Sequence, residues 1–268
     1  MIVSFAFGKK FVKLSALVAV LALLSGCSTN PVTGRGQIVE LPAVRAHAAI
    51  VFELSSGARY IAGAEACREY CREENPLFNA QVKRIGAELE AAVRGMSPEL
   101  FGRIDEFRIS VDPDLGATTG SSADGRVVLG SALARLASED DVTAFLIARE
   151  MAHIIARHDE EDSGARVFFS IITALIPGAA IARFAISALG SSALVHSWAE
   201  KQRREADEIA LALLERTGRP AARIAAALTG ATRENPPPGS EWSARYVESL
   251  ERVGLLARQP PYLAATGE

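Results

Sequence analysis

At 268 residues, with 49% hydrophobic, 23% charged and only 6% aromatic residues, the chain has the composition of a globular protein and not of a disordered, collagenous or disulfide-dense one. Its 29 basic groups against 32 acidic ones give a formal charge of −3, which leaves no general basic excess to neutralise phosphates and argues against nucleic acid as a partner. The length allows one large or two small domains with a substantial core.

The first segment does not read as part of that core. Lys9, Lys10 and Lys13 precede an apolar run from Leu14 to Leu24 that ends in small residues, the pattern of a secretory signal. The run is too short to span a bilayer as a mature helix. Leu24-Ser25-Gly26-Cys27 resembles the bacterial lipobox, which implies that Cys27 is acylated and becomes the new N-terminus. Several acyl chains, at about 0.8 kcal/mol per buried CH₂, hold a protein at a membrane far more firmly than one. Residues 1–26 then form a signal peptide, 27–40 a lipidated tether without a packed element, and 41–268 a single domain with a C-terminal helical extension. Ser28, standing where an aspartate would retain such a lipoprotein in the inner membrane, fits an outer-membrane protein facing the periplasm of a Gram-negative cell. Cys67 and Cys71 remain for an oxidising compartment; a disulfide at i,i+4 on a helix is geometrically marginal, and two free thiols are an equal reading.

Asn75-Pro76 marks a helix start, followed by an i, i+3, i+4 stripe of Val82, Ile85, Leu89 and Val93. Phe107, Ile109 and Val111 alternate with polar residues as in a half-buried strand, and Arg126-Val127-Val128-Leu129, bracketed by glycines, is a second. Ser138 and Asp141 offer helix-start chemistry for a long run from Val142 to His158, apolar on several faces and therefore central and buried. Residues 167–195 are strongly apolar but broken at Pro177-Gly178. They read as a hairpin of core helices, with a membrane-dipping hairpin disfavoured by the broken length. A helix over Lys201 to Leu214 stops at Gly218, and Pro236-Pro237-Pro238-Gly239 leads to a last amphipathic helix near Trp242 to Val253. The expected class is mainly α (α+β), a small sheet packed on a central helix.

Inside that helix lies Arg149-Glu150-Met151-Ala152-His153, one residue short of HExxH. The full motif puts two histidines on one helix face to bind zinc, with the glutamate as general base on metal-bound water. Four blocks together resemble family forty-eight of the metallopeptidases, the gluzincin group that includes HtpX, the CAAX prenyl protease and the BepA- and LoiP-like periplasmic lipoproteins. They are Cys27 to Arg35, the helix beginning Asn75-Pro76-Leu77-Phe78, the stretch Ala148 to His158, and Arg203-Arg204-Glu205-Ala206-Asp207, which is similar to the family's ExxAD. The resemblance implies a gluzincin-like fold. It places the first zinc ligand on Arg149, the general base on Glu150, the second ligand on His153 and the third on Arg203.

Two of those three ligand positions are arginine. Glu205 points about 200° away from position 203 and cannot replace it, whereas Glu200 lies one turn earlier. His153 and His158, about 140° apart on a regular helix, cannot chelate one ion. Two guanidinium groups repel zinc and demand carboxylates, so Arg149 and Arg203 should pair with Glu150, Asp207 or Glu200. The leading expectation is an envelope lipoprotein with a disarmed, zinc-free peptidase fold, binding polypeptides or envelope proteins as a chaperone-like scaffold. The resemblance implies that a peptide would add to an edge strand above the helix, expected at Arg126, Val127, Val128 and Leu129. One alternative is an active zinc metalloendopeptidase, for which the retained Glu150 speaks; another is a purely structural lipoprotein.

Overall fold

The structure is a computed structural model that describes residues 27–29, 34, 36–38, 48, 50, 75–113, 115–164, 166, 180–235 and 241–258, with the backbone alone over 27–28, 36–38, 180–197 and 241–242. The signal peptide, Cys67, Cys71, residues 167–179 and the Pro236 to Gly239 linker lie outside the described residues. The chain divides into two compact units, one of Met1–Ala48 and Arg157–Glu200, the other of Ala49–Ala156 and Lys201–Glu268.

In the first unit, β1 (Cys27–Thr29) pairs antiparallel with β2 (Gly36–Ile38), Cys27 opposite Ile38 and Thr29 opposite Gly36. The expected tether therefore carries a short hairpin. Its sequence hid this, because strands of three residues are too short to show apolar alternation. Gly34, between the two strands, has a positive φ of +68°. Residues 158–164 are helical, and Trp198 Nε1 donates to Asp162 Oδ1 at 2.9 Å.

The second unit begins with α1 (Pro76–Met96). Asn75 caps it, its Oδ1 accepting from the Phe78 amide at 3.0 Å, and Pro76 occupies the first turn, where no amide donor is missed. Phe78, Val82, Ile85, Leu89 and Val93 form its buried face. A sheet of β3 (Arg108–Asp112), β4 (Thr119–Ser121) and β5 (Arg126–Gly130) has the order β3-β5-β4, with β3 parallel and β4 antiparallel to β5. Gly86 of α1 admits Ile109 of β3, whose Cδ1 would lie 2.5 Å from a Cβ there.

This order corrects the expectation that Arg126 to Leu129 forms a free edge: the strand is central and paired on both sides. Val127 and Leu129 are fully buried. The missing neighbour is β4, whose Thr-Gly-Ser sequence has no hydrophobic period to reveal it.

The central helix is α2 (Asp140–Ile155). Neither expected start residue caps it. Glu139 holds the cap position without a side-chain bond, while Asp140 and Asp141 engage arginines of neighbouring helices. Phe145, Ile147 and Met151 are wholly buried. The helix stops before His158, contrary to expectation: the Ala156 amide returns to Ala152, Arg157 adopts φ 59°, and His158 opens the next helical stretch. A left-handed residue cannot continue a right-handed helix.

A single helix, α3 (Ala180–Arg216), replaces the expected break between an apolar hairpin and a helix from Lys201. Gly218, at φ +75°, ends it as anticipated, and the Arg219 amide bonds to the Leu214 carbonyl. The helix α4 (Ala221–Glu234) was not foreseen, although Ile224, Leu228 and Ala231 form its buried stripe. The last helix, α5 (Glu241–Leu256), packs on α4. No described helix is long and apolar enough to cross a membrane.

Candidate functional site

The site occupies the second unit, where α2, α3 and α5 bring charged side chains to one place. Asp207 of α3 is its centre and is completely buried. An isolated carboxylate there costs several kcal/mol, so its partners are obligatory. Arg149 Nε of α2 donates to its Oδ1 at 2.9 Å, and Arg252 Nε of α5 donates to its Oδ2 at 2.7 Å. The Ser249 hydroxyl lies 2.8 and 2.9 Å from the two oxygens. Three helices therefore close on one carboxylate.

Arg203, at the third ligand position, does not join Asp207, Glu150 or Glu200. Its Nε lies 3.6 Å from Glu248 Oε2 of α5, an ion-pair distance without a hydrogen bond, and Arg252 Nη1 approaches the same oxygen at 3.8 Å. The expected pairing of Arg203 is corrected on this point. Asp207 is already filled by donors from α2 and α5, which leaves Arg203 a half-exposed glutamate from a helix that the four motif blocks did not include.

Glu150 is buried and turns to the sheet, accepting the Thr119 hydroxyl of β4 at 2.6 Å. His153 is half-buried on the same helix, and Glu200 is exposed. Sequence reasoning found Arg149, Glu150, Asp207 and Arg203, and missed Thr119, Glu248, Ser249 and Arg252. For the last helix a signal existed: Ser249 falls between Tyr246 and Val253 on the buried stripe, and a hydroxyl in that position needs a partner. Thr119 gave none.

This donor set does not fit a zinc ion. Zinc needs three or four converging N, O or S ligands. Two of the implied positions carry cations that stay protonated at any physiological pH. Among the described residues, no group of three His, Cys, Asp or Glu side chains is placed to hold a metal. What the arrangement does offer is an interhelical clamp of fixed charge and a glutamate tied to the adjoining strand.

With that geometry in place, comparison with known proteins adds one match. The family model described as Peptidase family M48 fits residues 76–258, well over half of the chain and the whole of the sheet, the clamp and its three helices. No curated protein and no solved structure matches the chain.

Proposed function

The chain belongs to peptidase family M48, and we propose that it is a pseudopeptidase of the cell envelope, a zinc-free peptidase fold that binds polypeptides without cutting them. The observation that carries this reading is the ion pair of Arg149 with buried Asp207, which puts a permanent cation where the family's first zinc ligand would stand. Glu150 keeps the general-base position, but with no metal-bound water to deprotonate it serves as a hydrogen-bond acceptor for Thr119.

Polypeptide binding does not need the metal. β4 is a terminal strand of the sheet and lies against α2. Gly130 donates to Thr118 and Ser122 donates to Arg126, so in this antiparallel register the main-chain groups of Ser121 point away from β5. An extended peptide would pair there by main-chain bonds alone. The lipobox resemblance at Cys27 supports anchoring to a membrane by acyl chains, and Ser28 supports the outer membrane.

The deciding experiment combines metal analysis, proteolysis and peptide binding on the purified mature chain. Expected are zinc far below one per chain, no casein cleavage, and peptide binding that Ser121→Pro abolishes while leaving circular dichroism unchanged, since proline deletes one outward amide and no ladder bond. Stoichiometric zinc, with casein cleavage lost in Glu150→Gln, overturns the reading. For the anchor, Cys27→Ser should move the protein from the membrane to the soluble fraction; retention in the membrane would count against acylation.

A further inference from the structure

We propose that the place where the family's zinc ligands would stand is, in this chain, an oxyanion site that takes the C-terminal carboxylate of a bound polypeptide. The assignment rests on the polypeptide-binding reading above and names the group of the ligand that the arginines would hold.

The cluster is unbalanced. Arg149, Arg203 and Arg252 face two carboxylates, Asp207 and Glu248. Asp207 is saturated, since each of its oxygens accepts one arginine Nε and the shared Ser249 hydroxyl. Glu150, next to Arg149, accepts from Thr119. Arg149 uses only Nε, so neither of its terminal amino groups has a protein acceptor among the described residues. Arg203 has less. Its Nε is buried with no hydrogen-bond partner, and its nearest carboxylate is 3.6 Å away on a side chain that is half exposed.

A guanidinium carries five donors in a planar fork and prefers two parallel bonds to a planar oxyanion. Two such forks with spare terminal donors, one from α2 and one from α3, therefore suit a carboxylate or a phosphate and disfavour any metal ion. Arg203 is 26% exposed and Arg149 12%, so the first meets an incoming anion and the second lies deeper. β4 bonds to Glu150 through Thr119, so a peptide added at Ser121 runs beside the residue adjoining Arg149. A chain end brings a carboxylate there whatever its sequence, whereas an internal segment does so only where it carries an aspartate or glutamate.

Inorganic phosphate offers the same chemistry, and the test separates the two sources. Thermal shift and calorimetry of the mature chain would compare inorganic phosphate, a hydrophobic peptide with a free C-terminus and its C-terminal amide, on the wild type and on Arg203→Gln, Arg203→Lys and Arg204→Gln. The free-acid peptide should bind about tenfold or more tightly than the amide, and phosphate should compete with it. Arg203→Gln and the fork-deleting Arg203→Lys should each remove that preference, and Arg204→Gln, on the neighbouring arginine that pairs with exposed Glu208, should not. Equal binding of acid and amide overturns the carboxylate site while the β4 reading stands. Phosphate binding without any peptide binding overturns the carboxylate source and the polypeptide reading together. A preference that survives in both Arg203 variants overturns the residue assignment.

Discussion

Asp207 and Arg203 stand four residues apart on one helix and differ sharply in what they hold together. Asp207 is wholly enclosed, so removing one of its cations leaves a buried charge under-compensated; Arg149→Ala should lower stability by about 3 kcal/mol in urea denaturation. Arg203 sits in a partly exposed ion pair at 3.6 Å, and Arg203→Ala should cost below about 1 kcal/mol. Equal losses in the two variants would show that the clamp does not centre on Asp207. The sequence alone made the two arginines equivalent, because motif position says where a side chain starts and not which acid reaches it first. Ser249 and Arg252 settled that competition. They come from more than forty residues downstream, a distance across which helical periodicity carries no information.

Elements meet here through glycine contacts and through charge at the start of α2. A Cβ on Gly130, at the end of β5, would lie 1.8 Å from the Gly116 carbonyl oxygen, a backbone atom that cannot step aside. Gly130→Ala should therefore abolish soluble folded protein, whereas Gly95→Ala, with open space in the last turn of α1, should stabilise by up to about 1 kcal/mol. At the start of α2, Asp140 accepts from Arg84 and Gln81 of α1, and buried Asp141 takes both a forked bond from Arg223 and an ion pair from Arg219. Arg219 also grips Glu88 of α1, so three helices are tied by alternating charge.

These bonds have a pH signature. The Arg219 hydrogen bond holds the Glu88 carboxyl below its ordinary value of 4.5, and the Arg84 bond holds Asp140 below 3.8. A depressed carboxylate stabilises the fold above its unfolded value and loses that contribution as the pH falls through the folded one. Stability should thus be level near neutrality and decline below about pH 4.5, and Arg219→Gln together with Arg84→Gln should flatten that decline. An unchanged acid limb in the double variant would remove the network from the account. At this scale α1, β3 and β5 were legible because each carries its own apolar period. β1, β2 and β4 were not, being three residues each, and α4 was passed over between Gly218 and the proline run.

At the scale of the whole molecule, the two helices that carry the implied ligand positions are joined by α5 on a carboxylate instead. A ligand that binds only the folded state raises the melting temperature, so a chelator lowers it where a metal is bound. Chelation should leave the melting temperature of this chain unchanged, and a fall of several degrees would reinstate the metal. The general fold was readable because three of the four motif blocks mark α1, α2 and α3, which the matched region contains. The course of the chain through the clamp was not, since α5 was recognised as a helix with no known destination. That destination governs timing. The partners of Asp207 are spread from Arg149 to Arg252, and a chain emerging from the ribosome has the acid in place while its last two partners are still unmade. Until α5 arrives, the core holds a carboxylate with one cation instead of two, and any chain cut short before Arg252 is left there permanently. The last bonds of the clamp therefore form only after residue 252 has been made.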